Sequence, residues 1–119
     1  MDLYRQIILE EHKHPKNKGT LPHADAKGEA HNPLCGDELT LELAFDENGN
    51  VNEVAFSGQG CAVSQASASL LTEKMKGKSK EEIMALSKDD VFELLGGPVG
   101  PSREPCALLV LQGRDEALK

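Results

Sequence analysis

Residues 39–57 constrain this chain more than any other stretch. Leu39, Leu41, Leu43 and Phe45 alternate with Thr40 and Glu42, the period of a strand with one apolar face. Asp46-Glu47-Asn48-Gly49 has turn chemistry, and Val51 to Ser57 resumes the alternation with Val54 and Phe56 on one side. A hairpin with a single apolar face has to cover that face with something else. The chain beyond Ser57 is helical in pattern, so the sheet stays small and the helices cover it.

The cover can be read from caps and breakers. Residues 3–14 predict a helix capped by Asp2, with Leu3, Ile7 and Ile8 on one face and Pro15 as its stop. Residues 15–34, rich in Pro, Gly, Asn, Lys and His, read as a connection with a short edge strand near Lys27 to His31. Gly58-Gln59-Gly60 leads to a helix opened by Cys61 and running to about Lys76, with Gly77 closing it. Ser79 with Glu82, and Ser87 with Asp90, have capping-box spacing and start helices reaching Leu86 and Leu95. Ser102 is placed to cap a last helix with Cys106 in its first turn. The expected fold is α+β, a small antiparallel three-stranded sheet with helices on one face, forming one domain over residues 1–119.

Charge and composition exclude several functions. Twenty acidic residues against 13 basic ones give a net charge of −7, which opposes nucleic acid and anionic membrane surfaces. No run approaches the roughly 20 apolar residues of a membrane span, and the N-terminus lacks a signal-peptide layout, so a cytoplasmic protein is expected. Three cysteines, an odd number, without an export signal argue for reduced thiols rather than a disulfide framework. No Cys-x-x-Cys pair is present.

The cysteines lie where the chain turns or a helix begins. Cys35 sits in Asn32-Pro33-Leu34-Cys35-Gly36-Asp37, Cys61 follows Gly58-Gln59-Gly60, and Cys106 follows Arg103-Glu104-Pro105. One cysteine alone reads as a small core residue. Three at glycine- or proline-marked junctions read as thiolates gathered at an exposed corner, where free backbone N–H groups at helix starts favour anionic sulfur. Three thiolates suit Zn²⁺ or iron, provided a fourth ligand exists. Asp37, two residues after Cys35, is the nearest candidate, and His31 is its rival. A carboxylate exchanges more readily than a thiolate, which suits a carrier better than a closed structural site. His12, His14 and His23 lie on polar stretches and read as surface residues.

These segments resemble the iron–sulfur cluster assembly scaffold family, the IscU, SufU and NifU N-terminal group. The motif Asn-Pro-x-Cys-Gly-Asp is unbroken at 32–37, Gly60-Cys61 precedes an Ala/Ser-rich helix, and Cys106 leads into Ala107-Leu108-Leu109. Leu3-Tyr4-x-x-x-Ile7 and His14-Pro15-x-Asn17 match as well.

The resemblance implies that Cys35, Asp37, Cys61 and Cys106 hold Zn²⁺ at rest and a [2Fe–2S] cluster transiently. Sulfur would come from a cysteine desulfurase and the cluster would pass to apo iron–sulfur proteins. Cys35 would accept the sulfur, and Arg103 would stabilise it. Pro105 replaces the His usual before the third cysteine in the IscU branch, and Arg103 is similar to the SufU branch, whose members accept sulfur at a zinc site. The 45-residue spacing from Cys61 to Cys106, however, is the short IscU arrangement. Residues 97–102 differ from the Leu-Pro-Pro-Val-Lys segment that chaperones recognise, which argues against a dedicated chaperone. The alternatives are a zinc-dependent sulfurtransferase that activates its desulfurase and a structural zinc-binding adaptor.

Overall fold

A computed structural model describes residues 2–33 and 36–119. Strands β1 (Ala26–Asn32), β2 (Asp37–Phe45) and β3 (Val51–Ser57) form an antiparallel sheet in that order. Gly28 lies opposite Leu41, Ala30 opposite Leu39, and Leu41 and Leu43 opposite Phe56 and Val54. Leu41, Leu43 and Phe56 are completely buried, each worth about 1.5–3 kcal/mol relative to exposure. A register shift between Ala44 and Phe45 turns Phe45 partly out of the row that simple alternation predicts.

Helix α1 (Leu3–Lys13) starts where Asp2 accepts a hydrogen bond from Arg5 N at 2.8 Å. It packs on α2 (Ala62–Met75), the central helix of the fold. Every residue of α2 from Val63 to Ser69 is buried, and its small side chains let neighbours approach closely. Its hydroxyls have partners: Ser64 donates to Cys61 O, Thr72 to Ala68 O, and Ser69 to Glu11 Oε1 at 2.7 Å. Lys16 closes the last group by pairing with the buried Glu11 carboxylate at 2.8 Å.

The chain passes from β3's outer edge, where Lys18 bridges Phe56, to the other edge, where Asp25 N donates to Leu43 O. Both expected capping boxes are present, on α3 (Lys80–Met84) and α4 (Lys88–Leu94). The C-terminal region departs from expectation. Ser102 caps nothing; Gly100 O instead accepts from both Arg103 N and Glu104 N, so the turn runs one step further. A short α5 (Glu104–Ala107) then breaks at Leu108 before α6 (Leu109–Leu118).

Helix α6 lies across β1 and β2 at backbone contact. A Cβ on Gly28 would strike Gly113 O and Ala117 N, so only glycine permits this approach. Among the described residues, no helix is long and apolar enough to cross a membrane.

Candidate metal centre

Asp37 is the first residue of β2, and Cys61 is the N-cap of α2. The loop between β3 and α2 brings them together. Glu38 N donates to Gln59 O at 2.7 Å, and Gly58, at φ +122°, lets that loop lie against Glu38 O and the backbone of Leu39. Cys61 N then donates to Asp37 Oδ1 at 3.2 Å. Cys106 arrives from the other side, on α5 packed against α2. One carboxylate oxygen of Asp37 and the sulfurs of Cys61 and Cys106 all lie within 4.8 Å of one another.

The donor set fits a metal. Among the described residues, Asp37 Oδ2 is the one buried side-chain oxygen or nitrogen without a hydrogen-bond partner. A buried carboxylate oxygen in that position is costly unless a cation meets it. Two sulfurs and one oxygen at this separation suit a tetrahedral Zn²⁺ with one further ligand. Cys35, the expected third thiol, lies outside the described residues. His31, the alternative ligand, is not in the group. It is exposed on β1 with Nδ1 3.9 Å from Glu38 Oε2. Among the described residues, Cys61 and Cys106 form no disulfide.

The site is more recessed than the sequence implies. Asp37 and Cys106 are each 4% exposed, and only Cys61 of the three is partly open. The expected exposed corner is therefore corrected to a largely buried group whose open member is Cys61. The reason is tertiary: α5 folds its first turn inward onto α2, which no local pattern announces.

Cys61 opens into a cleft of about 710 Å³ between α1 and the start of α2. Tyr4, Ile8, Leu9 and Val63 supply much of its wall, and Arg103 lies at its side as an exposed cation. Among the described residues, Arg103 has no salt-bridge partner. Sequence reasoning gave Tyr4 no part in the site. Burial pushes its phenol above the usual range and the negative groups of Cys61, Asp2 and Cys106 add to that, while the nearby Arg103 charge opposes it. The available signal was the chain's single tyrosine lying one turn before Ile8.

The sequence model of the NifU-like N terminal domain matches residues 3–119. The chain belongs to this family. It is similar to the iron–sulfur cluster assembly scaffold protein IscU of Streptococcus pyogenes serotype M1, with 38% identity over 103 residues. That match covers 86% of this chain but only 62% of the relative. It is also 41% identical over 124 residues to the zinc-dependent sulfurtransferase SufU of Bacillus subtilis (strain 168), covering 90% of this chain and 83% of the relative. A crystal structure from Fervidobacterium islandicum AW-1, named for an iron–sulfur cluster assembly scaffold of the SUF system, superposes with a TM-score of 0.80. Its identity is 31%, covering 96% of this chain and 95% of that one.

Proposed function

We propose that this protein is an iron–sulfur cluster assembly scaffold that accepts sulfur from a cysteine desulfurase, with Cys35, Asp37, Cys61 and Cys106 as its metal-binding set. The observation that carries the reading is the Asp37 carboxylate, its Oδ2 buried and unpartnered, grouped through one of its oxygens with the Cys61 and Cys106 sulfurs. Zn²⁺ at this set would hold three sulfurs as thiolates and leave the carboxylate as the exchangeable position. A nascent [2Fe–2S] cluster is the cargo built on the same residues and passed to apo iron–sulfur proteins.

Sulfur arrives on the desulfurase as a cysteine persulfide. The Cys35 thiolate attacks the outer sulfur, the donor's S–S bond breaks, and the donor cysteine leaves as a thiolate. The outer sulfur stays on Cys35 as a persulfide, with no net oxidation. Arg103 stands beside the cleft as a cation without a carboxylate partner among the described residues, placed to attract the anionic sulfur. The apolar wall of Ile8, Leu9 and Val63 offers the donor segment a surface to rest on.

A zinc-dependent sulfurtransferase is the second reading, favoured by the 41% identity to the Bacillus protein of that name. Anaerobic reconstitution with ferrous iron and sulfide separates the two. A stable visible chromophore that is lost in Cys61→Ser supports the scaffold. A colourless zinc protein that still acquires persulfide from a desulfurase supports the transferase. Persulfide trapping on variants keeping one cysteine each identifies the acceptor, and capture on Cys61 or Cys106 alone would remove Cys35 from that role.

A further inference from the structure

The sheet has one covered edge and one open edge. Glu38 N donates to Gln59 O, continuing the register in which Thr40 faces Ser57. Bonded pairs alternate along an antiparallel ladder, so the even-numbered residues of β2 exchange hydrogen bonds with β3. Its odd-numbered residues, Asp37, Leu39, Leu41 and Leu43, therefore bond to Asn32, Ala30, Gly28 and Ala26 of β1. The backbone groups of Lys27, Glu29 and His31 are left pointing away from the sheet. On the far edge Phe56 points outward in the same way and is covered, its N donating to Asn17 O and its O accepting from Gly19 N. Among the described residues nothing covers the outward backbone of Lys27, Glu29 or His31.

Room and charge at this edge limit what fits there. Two adjoining hollows of about 490 and 390 Å³ run between β1 and the Asp115 and Glu116 end of α6. Glu29 and His31 line both. Asp115 and Glu116 already pair with Arg114 and Lys119, whereas Glu29 has no ion pair among the described residues and faces Thr40 on β2. Glu29 is thus the unbalanced charge of the edge. A second copy of this chain fits poorly, because antiparallel pairing of two β1 edges brings both α6 helices to one face. Helix α6 already touches the backbone at Gly28. Paired strands stand about 4.8 Å apart, whereas packed helices need about 8–10 Å.

We propose that the outer edge of β1 takes an extended segment of a partner protein as a fourth strand, with a Lys or Arg opposite Glu29. An open strand edge is a template for such addition: main-chain hydrogen bonds supply affinity, and the side chains opposite choose the sequence. Opposite charges facing across strands are favourable and like charges are not, so Glu29 selects a basic guest. The guest runs toward the metal centre, because Asn32 ends β1 opposite Asp37. With strands about 4.8 Å apart, its end lies about 10 Å from the β2 backbone at Asp37. The edge forms without the metal, so this docking stands apart from what the site carries.

Amide exchange on isotope-labelled protein, zinc-free and zinc-loaded, tests it. The probe is the capped peptide Thr-Val-Thr-Lys-Thr-Val-Thr, with a Glu-centred version and a fully N-methylated version beside it. In the protein alone the amides of Lys27, Glu29 and His31 should exchange fast. At saturating Lys-centred peptide they should slow on the order of tenfold, the effect of about one hydrogen bond each. The Glu-centred peptide should bind roughly threefold or more weakly, and Glu29→Lys, at an exposed position, should reverse that preference. The N-methylated peptide keeps the charge while its methyl groups bar backbone pairing, and it should protect none of the three amides.

Unchanged exchange at these amides overturns the proposal. So does equal protection by the N-methylated peptide, equal binding of the two charges, or slowing that maps to the Cys61 cleft instead. Protection in the protein alone that grows with its concentration would make the guest a second copy and overturn it too. An unprotected edge in protein that binds zinc sinks the docking strand and leaves the reading of the metal centre standing.

Discussion

Replacing Asp37 with Asn should move stability and metal affinity in opposite directions. Asp37 is 4% exposed, with Oδ1 held by Cys61 N–H at 3.2 Å and Oδ2 without a partner among the described residues. Asn keeps an acceptor for Cys61 and removes the buried charge. Removing the buried charge returns about 1–3 kcal/mol, while the NH₂ left unpartnered at the Oδ2 position and the weaker neutral acceptor for Cys61 N–H together cost about 1–2 kcal/mol. The metal-stripped, reduced variant should therefore unfold no earlier than the parent, with a gain of up to about 1 kcal/mol by urea denaturation. Zinc affinity, read by competition with a chelator, should fall at least tenfold, since even outer-shell partners of metal ligands are worth roughly 10- to 100-fold. A metal-stripped variant destabilised by more than about 1.5 kcal/mol, with zinc affinity intact, would refute the reasoning. Asp37 would then be a structural residue whose carboxylate the fold needs for itself.

Packing and the titrating groups lead to three more expected outcomes. Gly28→Ala should cost about 1–3 kcal/mol by forcing α6 off β1, seen as a lower denaturation midpoint; an unchanged midpoint would contradict the backbone contact with Gly113 and Ala117. Tyr4 is the only tyrosine and there is no tryptophan, so phenolate absorbance reports it alone. It should ionise above the ordinary tyrosine range, and Arg103→Ala should push it higher still, because the Arg103 charge favours phenolate. A fall on removing Arg103 would place that guanidinium elsewhere. Glu82 and Asp90 are held below the usual carboxylate range, first by backbone N–H groups of Ser79 and Ser87. Their caps therefore contribute fully above the ordinary carboxylate pKa and fade as pH falls through the lowered values. Glu82→Gln with Asp90→Asn should accordingly be less stable than the parent at neutral pH and converge with it in acid, and a gap that widens in acid would reverse the sign.

The elements most legible in the sequence are those set by neighbours in the chain. Asp2, Ser79 and Ser87 cap their helices as their side chains dictate, and the alternation of Leu39, Leu41 and Leu43 with Val54 and Phe56 places the hairpin. The edge strand expected near Lys27 to His31 is β1, one residue longer at each end. Asp37, Cys61 and Cys106 could be grouped from their motifs because turn glycines and helix starts leave a local mark.

What was hidden depends on contacts between distant segments. The inward turn of α5 that buries Cys106 results from packing on α2, and Ser102 lost its capping role to a turn closed by Gly100 O. Arg114 is buried because its guanidinium reaches Ile83 O and Leu86 O at the end of α3, some thirty residues away in sequence. Lys18 and Gln65 meet across 47 residues, and the only local hint was one amide within a run of small residues.

X-ray absorption at the zinc edge of the zinc-loaded protein tests the central claim most directly. The account predicts a first shell of three sulfurs at about 2.3 Å and one oxygen at about 2.0 Å, the oxygen changing character in Asp37→Asn. Two or fewer sulfurs, or a nitrogen scatterer that vanishes in His31→Ala, would contradict it.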